Sequence, residues 1–170
     1  MKYERFEQLP VWQAAIELGR GVFRLVDDRS FGGQGDLRDQ LQRAAVSISN
    51  NIAEGFERGT TQELLTFLYY ARGSAGEVRS MLLLCERLPY FDHLKSDISD
   101  LKSLAESIAR QVRARADSLQ NSDIPGQRRL TDATRADYQA RRRAAALWRQ
   151  LDALRGAAPP GGGGEMRPSA

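Results

Sequence analysis

Six polar residues, Gln40, Arg43, Ser47, Asn50, Asn51 and Glu54, crowd one short stretch of an otherwise apolar-striped sequence. Arg43, Ser47, Asn50, Asn51 and Glu54 stand three or four positions apart, the spacing that places side chains on one face of a helix. Catalysis from such a face would need a nucleophile beside a base, or a tuned acid and base pair. Ser47 is the available nucleophile, but the chain holds a single His, His93, at the apparent start of a distant helix. With no evident base for Ser47, the cluster reads as a structural or intersubunit hydrogen-bond network. Paired buried polar groups specify geometry, whereas unpaired ones are costly.

Metal and thiol chemistry find little to work with. One Cys, Cys85, forbids an internal disulfide, and one Cys with one His falls short of the four ligands of a structural zinc site. Cys85 follows Met81-Leu82-Leu83-Leu84 and reads as a buried apolar side chain, while His93 beside Asp92 reads as a cap or surface group. No catalytic residue, cofactor or metal is expected.

Cations are the remaining candidates. Lys95, Lys102, Arg110, Arg113 and Arg115 are spaced to form a stripe towards the end of a helix, diluted by Asp97, Asp100 and Glu106. Further on, Arg128, Arg135, Arg142 and Arg149 recur every seven residues, and Arg129, Arg141 and Arg143 add to the band. Such a band either lines guanidinium groups along a phosphate backbone or is a solvated face neutralised locally, as by Asp137 with Arg141. The chain's formal charge of +3 is unevenly placed. Residues 1–120 carry 16 Lys and Arg against 17 Asp and Glu, a net of −1, whereas residues 121–170 carry 9 Arg, no Lys and 5 acids, a net of +4.

Helices must position these groups. Val11, Ala15, Leu18, Val22 and Leu25 alternate steps of four and three after Pro10, which suits a helix start; Trp12, Ile16 and Val26 widen the stripe. A glycine-rich loop at residues 27–35 ends this helix, and Asp36 is the expected N-cap of a second, striped by Leu37, Leu41, Ala44, Ile48, Ile52 and Phe56 and terminated at Gly59. Thr60-Thr61-Gln62-Glu63 has the form of a capping box and opens a third, striped by Leu64, Leu68, Ala71, Ala75, Val78 and Leu82. Within it, Gly73-Ser74-Ala75-Gly76 predicts close approach of two helix backbones, because mid-helix Gly costs about 1 kcal/mol against Ala and needs a reason. Pro89 closes the third helix, and Leu94, Ile98, Leu101, Ala105, Ile108 and Val112 stripe the fourth. Short connections between four amphipathic helices predict an all-α, antiparallel up-and-down bundle at residues 1–120.

Beyond it, residues 121–130 read as a linker, 131–155 as a basic helical extension and 156–170 as a disordered tail with nothing to bury. No apolar run approaches the roughly 18 to 20 residues that span a bilayer, and the charged opening MKYERFEQ lacks a signal peptide's apolar stretch, so no membrane contact and a cytoplasmic location are expected.

Leu37, Gln40, Arg43, Ala44, Ala45, Ser47, Ile48, Asn51, Ile52, Ala53, Glu54 and Gly55 occur in an order and spacing that resemble the four-helix-bundle proteins encoded in intervening sequences of bacterial 23S ribosomal RNA genes. Phe67, Leu68, Ala71, Gly73, Ser74 and Glu77 match that family's third helix, and Trp12 with Ala15 its first. The resemblance spans about residues 6–118. It implies a homopentamer without enzymatic activity, and a relationship to the accessory variability proteins of diversity-generating retroelements, which partner a reverse transcriptase and its template RNA. Together with the Arg-rich band, this leads to the expectation of a non-enzymatic pentameric adaptor for nucleic acid, RNA foremost, for a reverse transcriptase, or for both. The competing expectation is a protein-binding structural ring whose C-terminal helix docks a protein partner.

Overall fold

A computed structural model describes residues 3–120 together with Ala140, Arg143, Ala144, Ala146, Leu147 and Arg149. Four helices form: α1 (Pro10–Val26), α2 (Gly35–Glu57), α3 (Thr61–Cys85) and α4 (Lys95–Gln120). Short 3-10 turns at Phe6–Gln8, Arg29–Phe31 and Pro89–Leu94 lead into them, and no strand occurs among the described residues. Each helix packs on the next and α1 closes on α4, giving the up-and-down four-helix bundle that the periodicity predicts.

The apolar stripes are the core. Ala15, Leu18, Val22 and Leu25 of α1, Leu41, Ala44, Ile48 and Ile52 of α2, Leu64, Leu68, Ala71, Ala75, Val78 and Leu82 of α3, and Ile98, Ala105, Ile108 and Val112 of α4 are all buried. One end of the bundle is closed by Phe31 and Phe91, both buried, with ring centroids 4.6 Å apart, so the α1–α2 and α3–α4 connections share an aromatic lid. Burial of each Val, Leu, Ile or Phe among them contributes roughly 1.5–3 kcal/mol, which is why four stripes suffice to define the fold.

Several helix boundaries and contacts differ from the sequence expectation. Asp36 is not an N-cap: α2 begins at Gly35 after Gln34, and Asp36 sits inside the first turn, where its charge still complements the positive helix end. Gly59 does not end α2 through left-handed backbone. The helix stops at Glu57 because Arg58 and Thr60 are both extended, carrying the chain straight into the next N-cap. There the capping box forms as its sequence requires, with Thr60 Oγ1 accepting from Glu63 N–H and the Glu63 carboxylate accepting from Thr60 N–H. Leu94 belongs to the Pro89–Leu94 turn instead of α4, and both it and Leu101 are half-buried at the edge of the core.

The glycines that bring helices together are Gly21 and Gly55, not Gly73 and Gly76. A Cβ on Gly21 would run into the Leu101 side chain of α4, and one on Gly55 would stand 2.8 Å from Phe67 Cβ and 3.1 Å from Leu64 Cδ1 of α3. Gly73 and Gly76 are exposed, with nothing within 4 Å of the position a Cβ would take.

The chain divides into two units, Met1–Arg129 and Leu130–Ala170. In the second, the six described residues are helical and exposed. The expected linker at 121–130, the remainder of the 131–155 extension and the expected disordered tail at 156–170 lie outside the described residues.

Candidate functional site

The polar cluster of α2 separates into a joint and a surface. Ser47 Oγ lies 2.9 Å from Ser74 Oγ of α3, and Asn51 Nδ2 donates to both the carbonyl oxygen and the Oγ of Ser47 at 2.8 and 3.0 Å. Ser74 is buried and Ser47 and Asn51 half-buried, so this joint sets the register of α2 against α3. Sequence reasoning did not assign Ser74 to it, although its place between two small residues on the third helix's stripe was a usable clue.

The other four members stand outside. Glu54 pairs with Arg58 at 2.6 Å and holds that guanidinium above its ordinary pKa. Gln40, Arg43 and Asn50 are exposed and lie outside this joint, so that of the six residues Ser47 and Asn51 are the two it links within the chain. Arg43 divides two depressions. On one side Gln40, Arg43, Ala44, Ser47, Glu77, Ser80 and Met81 line a cleft of about 400 Å³ between α2 and α3. On the other, a shallower hollow of about 370 Å³ is floored by Phe23, Val46 and Asn50. Neither Arg43 nor Glu77 makes an ion pair among the described residues, although they line the same cleft.

The α4 cations are mostly neutralised at home. Lys95 pairs with Asp92 at 2.9 Å, Arg110 with Glu106 at 2.9 Å and Arg113 with Asp117 at 3.6 Å. Half-buried Lys102 donates to both oxygens of Glu86, at 2.8 and 2.7 Å, pinning the end of α3 to α4. Arg115 stands apart, lining an apolar groove of about 380 Å³ with Tyr3, Pro10, Val11, Phe56 and Leu64. By helical spacing Lys95, Lys102, Arg110 and Arg113 keep to one side of α4, each met by an acid, and Arg115 stands off that stripe. Lys102 turns towards α3 and Arg115 towards α1, as residues thirteen positions apart on a helix must when their angular separation exceeds a third of a turn. Of the later cations, Arg143 and Arg149 are helical and exposed, while Arg128, Arg129, Arg135, Arg141 and Arg142 lie outside the described residues.

His93 and Cys85 take the places that their surroundings dictate. His93 Nε2 lies 3.2 Å from Asp28 Oδ1 and 3.5 Å from Ser30 Oγ, clasping the two loops beneath the aromatic lid. Hydrogen bonds from Ser30, with His93 adding to them, hold the Asp28 carboxyl at about 2. Aspartate and serine meet the same ring nitrogen, an arrangement unlike a nucleophile–base–orienter relay, in which the two partners occupy opposite nitrogens. Burial pushes the Cys85 thiol up to about 11, far from the thiolate form that reacts. Among the described residues no group of three or more His, Cys, Asp or Glu side chains could hold a metal ion, and no helix is long and apolar enough to cross a membrane.

No curated protein matches the chain. A family model described as 23S rRNA-intervening sequence protein matches residues 7–114, from just before α1 through most of α4, and includes the Ser47–Asn51–Ser74 joint and the Arg43 cleft. The chain belongs to the 23S rRNA-intervening sequence protein family.

Proposed function

We propose that the protein is a non-enzymatic cytoplasmic adaptor, a homopentamer of four-helix bundles that binds nucleic acid, RNA foremost, through its Arg-rich C-terminal segment. The observation that carries this reading is the segregation of charge. Residues 1–120 net −1, and four of the five α4 cations are engaged by acids of the bundle, whereas residues 121–170 carry nine Arg and net +4. The binding role thus moves from α4 to the tail, where Arg128, Arg135, Arg142 and Arg149 share a heptad spacing. Five such segments on one ring act at high effective concentration on a long polyanion. Ser47, hydrogen-bonded to Ser74 and Asn51 and with no base beside it among the described residues, supports a non-catalytic reading. In its specific form the adaptor serves a reverse transcriptase and its RNA, the role that the family resemblance implies through the retroelement accessory variability proteins.

Fluorescence polarisation of a labelled RNA across a salt series tests this. Affinity is expected to fall steeply with salt, since each phosphate contact releases counterions, and to fall further when Arg135, Arg142 and Arg149 are together changed to Gln. Absent or salt-insensitive binding would refute the reading. A protein-docking tail is favoured by one observation, the exposed Leu147 on a helical stretch; on that reading the triple Gln variant keeps its RNA affinity and deletion of residues 121–170 loses a protein partner.

A further inference from the structure

The two ends of the bundle are finished differently. At one, Phe31 and Phe91 close over the core. At the other, where α1 begins and α4 ends, the helices leave a groove of about 380 Å³ whose floor is the core itself: Ile52 and Phe56 of α2, Leu64 and Leu68 of α3, and Leu9. Tyr3, Pro10 and Val11 make one wall. The other wall is a single edge of α4, formed by Gln111, Ala114, Arg115 and Ser118, which are exposed and stand three or four positions apart. An apolar lining with a few polar groups gathered on one side, in a volume within the roughly 300–1,000 Å³ of small-molecule sites, is the construction of a ligand pocket.

Charge identifies the ligand. Arg110 pairs with Glu106 and Arg113 with Asp117, each four positions away along α4. Around Arg115 the positions three and four away hold Gln111, Val112, Ser118 and Leu119, none of them acidic, and no ion pair reaches its guanidinium among the described residues. The groove itself has no acidic residue in its lining. A free guanidinium beside an apolar floor selects a molecule with an anionic head and an apolar body. The planar fork of Arg matches a carboxylate through two parallel N–H···O bonds. One cation balances one negative charge, so a monocarboxylate suits the groove better than a phosphate dianion, and a polyanion finds no second cation in the lining. We infer that this groove binds an amphipathic monocarboxylate, a short acyl acid whose head meets Arg115 and whose chain lies over Phe56, Leu64 and Leu68. Ser118, one turn beyond Arg115 on the same edge of α4, offers a hydroxyl donor to the same head group. The site is independent of the nucleic-acid reading, which rests on residues 121–170.

Isothermal titration calorimetry of the full chain with octanoate, 1-octanol and octyl phosphate tests the assignment. Octanoate is expected to bind saturably, one per chain, roughly tenfold or more tightly than octanol. Arg115→Gln should bring octanoate down to the affinity of octanol without a lower melting temperature by circular dichroism. Ala114→Trp, which sets an indole into the groove from its exposed rim, should lose both ligands. No octanoate binding by the wild type, or binding that Arg115→Gln leaves unchanged, would overturn the site. Octanol equal to octanoate would overturn the carboxylate and leave an uncharged apolar seat of the kind a protein side chain fills. Octyl phosphate binding more tightly than octanoate would overturn the choice of head group. Octanoate binding to Ala114→Trp as it binds the wild type would overturn this groove as its seat.

Discussion

At Gly55 a single methyl group decides whether α2 and α3 close. The 2.8 Å from an added Cβ to Phe67 Cβ leaves no room, and Phe67 Cβ is tied to its own helix backbone, so Gly55→Ala should destabilise the fold by about 1–3 kcal/mol, the usual cost of overpacking. Gly73→Ala meets open space and should stabilise an isolated bundle by roughly 0.5–1 kcal/mol through helix propensity alone. Chemical denaturation of the two variants, at a concentration where the chain is monomeric, checks the opposite signs. The contrast also shows why glycine spacing in the sequence misled: a mid-helix Gly reports that something needs backbone proximity, without saying whether that neighbour lies inside or outside the bundle. Ser74 illustrates the same limit. Its hydroxyl meets Ser47 across 27 positions, a pairing set by helix packing and invisible to local spacing.

Helices and their ends are where the sequence is most informative. The Thr60 capping box is a local device whose two hydrogen bonds need only four residues, so Thr60→Ala should cost about 0.5–2 kcal/mol, read as a lower melting temperature. All six residues of the α3 core stripe are buried as their spacing requires, because burial of a stripe follows from its period once any partner is present. Ion pairs between elements were out of reach: Lys102 and Glu86 are joined only because α4 folds back along α3. The loop clasp is similar, since His93 and Asp28 meet only when both connections gather at one end. Its pH behaviour follows from the lowered Asp28 carboxyl. A folded-state value of about 2 against 3.8 ordinarily means stability present above pH 4 and lost as pH falls towards 2. Thermal melts from pH 5 to 2 should show the wild type losing stability, and Asp28→Asn should flatten that loss.

For the whole molecule, charge and fold part company near residue 120. The buried core among the described residues runs from Leu9 to Ala116, so removing residues 121–170 should leave its melting temperature within a few degrees of the full chain, while the net charge reverses from +3 to −1 and salt-dependent RNA affinity disappears. Circular dichroism and the same polarisation assay measure both halves of that expectation. The bundle was readable because it repeats one period four times. The tail's role was not, because an Arg band without a buried counterpart is defined by what binds it. One buried atom bears on every experiment of this kind. The sole thiol of the chain, on Cys85, is enclosed and held in its unreactive protonated form, so the native protein is silent towards maleimides and alkylating agents under mild conditions. A cysteine placed anywhere on its surface becomes a unique chemical address, for a fluorophore, a spin label or a cross-link to the neighbouring molecule, with no background to remove.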